Sequence, residues 1–201
     1  MSPIIRTFFS GKRPVVALCL VAVLMSGCNS YRLSEALLNE EIEARLVTRS
    51  TPHIFVDVDD NFATLNLFIK GLSIDLLAEN GGSVKVHLGA NTQGMLFALN
   101  EPVAISTHLR VTLWSNLVVK EGSIYLTQPK ISHIQIQGDN FSDDILRTAF
   151  ASSHLYLEQA LAGYFYKTPI YELTHSNIEK TTKRDVKNVR IKKDALLLTF
   201  Y

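Results

Sequence analysis

Beyond residue 28 this 201-residue chain has no cysteine: its two are Cys19 and Cys28. That scarcity excludes thiol catalysis, Cys-ligated metal and any disulfide brace from the bulk of the chain, so the fold must rest on packing. Tryptophan occurs once, proline 6 times and glycine 10 times, far from any collagen-like or low-complexity composition. The charges nearly cancel, at 20 Lys+Arg against 19 Asp+Glu, so the basic bias usual in nucleic-acid binders is missing and no nucleic-acid partner is expected. What is plentiful is apolar: 47% of residues are hydrophobic against 19% charged, which supports a sizeable core and excludes wholesale disorder.

The first 27 residues hold Arg6, Lys12 and Arg13 and no acid, and an apolar run from Val15 to Met25 follows them. Eleven residues of helix rise only ~16 Å, too short for a ~30 Å hydrocarbon core, so residues 1–27 read as a secretory signal peptide. The run ends in Leu24-Met25-Ser26-Gly27-Cys28, which resembles the bacterial lipobox, with Met25 where Leu is commonest. That resemblance implies a diacylated Cys28 as the first residue of a mature chain anchored to the membrane; the plainer alternative is an ordinary thiol after an ordinary signal peptide. Asn29 is unlike the Asp of the inner-membrane retention signal, so by analogy an outer-membrane, periplasm-facing site in the bacterial envelope is expected. Without the first 27 residues, 17 basic side chains face 19 acidic ones, and the expected single domain covers residues 28–201.

Within that domain the apolar period changes twice. Ser34 can cap a helix in which Leu38, Ile42 and Leu46 share one face, with Leu33 positioned to staple onto Leu38. From Thr51 the period is two: Ile54, Val56, Val58; then Leu65, Leu67, Ile69; after a parity change at Gly71, Leu72, Ile74, Leu76; and, past Asn80-Gly81-Gly82, Val84, Val86, Leu88. The cleanest strand runs from Val103 to Leu113, ~35 Å at ~3.3 Å per residue. Ile124, Leu126, Ile134 and Ile136 close the β region. Near Ser142 the helical period returns and carries Leu146, Phe150, Leu157, Leu161 and Phe165 to Pro169, with Ser152-Ser153 a place for a break. A hairpin turning near Lys193-Asp194 ends the chain. The order predicts an α+β fold: an antiparallel meander, a short N-terminal helix, a long C-terminal helix of about six turns and a terminal hairpin.

Two stretches carry a family resemblance. Tyr31-Arg32-Leu33-Ser34, and Leu157-Glu158-Gln159-Ala160-Leu161 with Tyr164-Phe165 and Pro169-Ile170-Tyr171-Glu172-Leu173, resemble the YceB-like bacterial lipoproteins. That family is similar in fold to the tubular lipid-binding, BPI-like domains. The resemblance implies a strongly curved antiparallel sheet wrapped around the long helix, and a lipid or other hydrophobic small molecule as ligand. Its channel would be lined by Ile105, Leu109 and Leu113 from the sheet and by Leu146, Phe150, Leu157, Leu161 and Phe165 from the helix. The same residues could instead fill a solid core, and sequence does not show volume.

No reaction chemistry is visible. The sequence has no GxSxG elbow, no HExxH pair and no phosphate-binding glycine loop, so neither an enzyme nor a cofactor is expected. His87 and His108 fall on the polar faces of strands, His154 and Glu158 form an i, i+4 pair on a helix, and Asp57, Asp59, Asp60 and Asn61 read as an acidic turn. Seven basic residues crowd positions 180–193; Lys183, Arg184, Lys187 and Arg190 could meet anionic headgroups, or could simply solvate an edge strand. The expected function is a membrane-anchored, non-catalytic binder of a hydrophobic molecule. The alternative is an interaction module for another envelope protein.

Overall fold

The computed structural model describes residues 30–48, 52–58, 62–98, 101–152, 154–173 and 186–201. Six strands form one antiparallel meander in sequence order: β2 (His53–Val58), β3 (Ala63–Leu77), β4 (Ser83–Ala98), β5 (Glu101–Lys120), β6 (Ser123–Gln137) and β7 (Tyr171–Glu172). A second, three-stranded sheet joins the two ends of the described chain in the order β1 (Ser30–Ser34), β9 (Ala195–Phe200), β8 (Val186–Lys192). Three helices complete the set: α1 (Glu35–Thr48), α2 (Phe141–Ser152) and α3 (Leu155–Lys167).

Alternation decides which face each strand buries. Leu65, Leu67, Val84, Val86, Leu109, Val111 and Leu113 point inward, and their neighbours along each strand are exposed or half-exposed. The ladders shift register between Ile69 and Gly71 in β3, and between Thr112 and Asn116 in β5, and such bulges bend and twist a sheet. The parity change at Gly71 is therefore real, and β3 runs on through it as one strand. The meander is curved enough for α3 to pack on both β2 and β6, strands from opposite sides of the sheet.

The single long C-terminal helix is not present. The segment divides into α2 of 12 residues and α3 of 13, parted where Ser152-Ser153-His154 interrupts the pattern. The two apolar stripes serve different places: α2 lies on β5 and β6, α3 on β6 and β2. The sheet thus curves about a short helix rather than a long one. α2 starts at Phe141, just ahead of Ser142, because Asn140 caps it, its Oδ1 accepting from the Asp143 N–H at 2.9 Å.

At the other end, Ser34 caps α1 as expected, accepting from the Leu37 N–H at 3.3 Å. Leu33 and Leu38 are both fully buried. The hairpin turns at Lys193-Asp194, with Asp194 at a φ of 56°. The Val103–Leu113 strand is the middle of the longer β5, whose 20 residues include polar outer positions that alternation alone did not extend to.

Candidate functional site

β2 pairs only with Ala63–Phe68, so the rest of β3 has no strand on that side. α1 fills the vacancy with side chains. Asn39 accepts from the Ile74 N–H at 2.9 Å through Oδ1 and donates to the Ile74 carbonyl at 3.0 Å through Nδ2. Glu35 accepts from the Leu76 N–H at 2.6 Å, and the Asp194 N–H donates to the Leu76 carbonyl at 3.3 Å. A helix and a turn thereby satisfy an edge that otherwise invites another chain.

The far end of α1 reaches the opposite margin of the sheet. Arg45 donates to Glu41 at 2.9 Å, to Glu172 on β7 at 3.0 Å and to the Pro169 carbonyl at 3.4 Å. Its charge is answered by two carboxylates, and the bonds tie α1 to the chain that leaves α3. Beneath this tie lies a cavity of about 290 Å³. Ile42 and Leu46 of α1, Leu72 of β3, Phe165 of α3 and Ile170 form most of its wall. The lining is mostly apolar, with Arg45 and Thr168 as its polar members, and the volume is near the lower end for small-molecule pockets, roughly 300–1,000 Å³.

Leu46 and Leu72 also line a second, larger void of about 620 Å³ on the outer face of the sheet. Two cross-strand rows form its floor. One is Gly71, Gly89, Arg110 and Gln135; the next is Ser73, His87, Thr112 and His133. A Cβ at Gly71 or Gly89 would meet no atom within 4 Å, so the bare backbone there deepens the groove. Lys70 lies beside Gly71 on the groove wall, and Glu43 faces it from α1. His87 bonds Asp75 through Nε2 at 3.0 Å, and its Nδ1 lies 3.4 Å from the Thr112 hydroxyl. Arg110 donates to the Gln137 side-chain oxygen at 3.0 and 3.3 Å in the amide orientation that suits both groups.

A third void, about 500 Å³, lies between Trp114, Leu155 and Glu158. Glu158 does not pair by hydrogen bond with His154 but turns to β6, accepting from the Ile131 N–H at 2.8 Å and from Lys130 at 3.0 Å. Burial alone would raise its pKa; the Ile131 N–H, the Lys130 ammonium and the charge of His154 outweigh that and hold the carboxyl below its ordinary value.

Of the residues expected to line a channel, Ile105, Leu109, Leu113, Leu146, Phe150, Leu157, Leu161 and Phe165 all lie in one buried cluster, none more than 3% exposed. Phe165 alone of them also borders one of the three voids described above. Ile42, Leu46 and Leu72, which also build the apolar cavity, carry only the signal of helix and strand faces; Tyr164-Phe165 and Pro169-Ile170, in the family-like stretch, are the sequence signals near it. Lys187 and Arg190 are exposed on β8, whereas Lys183, Arg184 and Cys28 lie outside the described residues, as do Asp59, Asp60 and Asn61. His108 is exposed and bonded to Asn91 at 2.7 Å. Among the described residues no cluster of three metal-ligating side chains occurs, and no helix is long and apolar enough to cross a membrane.

No curated protein matches the chain. Among solved structures it is similar to "Crystal structure of lipopolysaccharide binding protein", at 10% identity and a TM-score of 0.31, over 89% of this chain and 40% of that one. Residues 35–195 match the family described as "Protein of unknown function (DUF1439)", and the chain belongs to that family.

Proposed function

We propose that the chain is a non-catalytic lipoprotein of the bacterial envelope that holds a hydrophobic molecule, a lipid or its acyl chain. The observation that carries this reading is the apolar cavity of about 290 Å³ bounded by Ile42, Leu46, Leu72 and Phe165. An apolar tail laid against these side chains gains dispersion contacts and removes apolar surface from water. Leu146, Phe150, Leu157, Leu161, Ile105, Leu109 and Leu113 act in this reading as the rigid core behind the cavity rather than as its lining. Membrane attachment rests on the lipobox-like Leu24–Cys28 stretch, with Cys28 acylated and the outer membrane as its place; the absence of catalysis rests on the missing nucleophile and base motifs.

The test is lipid carried through purification. Mass spectrometry of the purified protein is expected to find one apolar molecule per chain. Leu46→Trp and Leu72→Trp, which fill the cavity from two elements, should each remove it while leaving the thermal transition in place. A protein that purifies empty and ignores fluorescent fatty acids would overturn the proposal.

A second reading is favoured by Phe55, Met95 and Phe97, exposed on the outer face at one end of the sheet. They suit contact with another envelope protein, in which case crosslinking in cells should trap a stoichiometric partner that Phe55→Ser and Phe97→Ser lose.

A further inference from the structure

We infer that the ligand is an amphiphile with an anionic headgroup, its tail in the apolar cavity and its head in the polar groove on the outer face of the sheet. This deepens the cavity reading above and rests on it. The two voids adjoin, because Leu46 and Leu72 line both. They differ in chemistry. The smaller is walled mainly by aliphatic and aromatic side chains, its one cation, Arg45, being answered by Glu41 and Glu172; the larger, of about 620 Å³, is half polar and collects Lys70, Arg110, His87 and His133. One molecule that is apolar at one end and polar at the other fits the pair better than two separate ligands.

The sign of the head follows from the groove's charges. Lys70 and Arg110 are formally positive, and both are exposed on the sheet. Glu43 is the one carboxylate among the residues lining the groove, and Asp75, just outside, is already bonded to His87. A phosphate or carboxylate lying over the Gly71–Gly89 floor comes within reach of Arg110 on the next strand, whose terminal nitrogens each give one N–H to Gln137 and keep a second for an oxyanion. Side chains at positions 71 and 89 would occupy that floor. Bare backbone there costs strand stability, and this use accounts for it.

The proposal is tested on the full chain in a non-ionic detergent, with native mass spectrometry reading the one-to-one complex. The probes are lysophosphatidic acid, the free fatty acid and the monoacylglycerol of the same acyl chain. Lysophosphatidic acid is expected to bind roughly tenfold more tightly than the monoacylglycerol, and the combined variant Lys70→Gln/Arg110→Gln to erase that preference by weakening lysophosphatidic acid far more than the monoacylglycerol. Gly89→Val should weaken the phosphate-headed probe more than the neutral one. A fatty acid that matches lysophosphatidic acid identifies carboxylate as sufficient; a fatty acid that matches the monoacylglycerol identifies phosphate as the group recognised. If all three probes bind alike, or if the charge-removing variant keeps the preference, the headgroup inference fails and the cavity reading survives. If none of the three binds, or if Leu72→Trp leaves the binding of all three unchanged, both fail together.

Discussion

Replacing Asn39 by alanine tests whether a helix side chain substitutes for the missing strand beside β3. In the folded protein that one amide satisfies both backbone groups of Ile74, at 2.9 and 3.0 Å. Ile74 is itself fully buried, and α1 covers this edge, so water reaches the orphaned N–H and carbonyl poorly once the amide is gone. Each buried group left unpaired costs about 1–3 kcal/mol; partial solvent access puts each near the lower end, for a total of about 2–3 kcal/mol. At about 2–4 °C per kcal/mol for a chain of this size, Asn39→Ala should lower the thermal transition by roughly 5–10 °C. Glu40→Ala, one residue on and exposed, is the control, and should move stability by no more than about 0.5 kcal/mol. Hydrogen exchange gives the local reading: the Ile74 amide should lose protection in Asn39→Ala, while amides of β4 keep theirs. An unchanged Ile74 exchange rate together with a loss below about 0.5 kcal/mol would refute the idea that α1 acts as the missing strand.

Three further outcomes follow from buried groups. Phe165→Ala removes a fully buried ring whose neighbour is already a cavity, so its cost should fall near the low end of the Phe→Ala range, about 3 kcal/mol, read by chemical denaturation. Gly94→Ala should destabilise by about 1–3 kcal/mol, since the added Cβ would run into the Thr64 carbonyl and the Cα and side chain of Leu65; a neutral substitution would show that β3 and β4 have room to part. Glu158 has a folded-state pKa held below its ordinary value, so its stabilisation is present above the unfolded pKa and is lost as pH falls through the folded one. Wild type should therefore lose stability on acidification below pH ~4.5 more steeply than Glu158→Gln, as thermal transitions across that range would show.

Local features were legible and distant ones were not. Ser34 as a cap, Gly71 as a parity change and Lys193-Asp194 as a turn depend on a few neighbouring residues, and the structure has each where the sequence pointed. Tyr31-Arg32-Leu33 carries no period long enough to mark a strand; it becomes one because β9, from the other end of the chain, supplies its partner. The division between α2 and α3 was visible as Ser152-Ser153, yet the apolar stripes on either side could not say that they pack on different strands. The site was least legible. Leu46 and Leu72 looked like ordinary core positions, and only the packing of α1, β3 and α3 together shows the space beside them. Gly89 carries no side chain to notice, and its role appears only once Gly71 is seen directly opposite.

The pairing of β1 with β9 also bears on the order in which the molecule is made. Ser30 lies against Thr199, so the three-stranded sheet must wait until almost the whole chain has been synthesised, whereas the meander from β2 to β6 closes through successive neighbours. Joining such distant segments in an open chain would cost roughly 4–5 kcal/mol of closure entropy by the logarithmic rule, and the prior collapse of the meander shortens that loop. Until β9 arrives, Leu33 lacks its partner Leu196 and α1 lacks the Asp194 contacts that fix its first turn. The first turn of α1 therefore takes its final form late, while its far end, held by Asn39 and Arg45 to β3 and β7, can settle before β9 arrives.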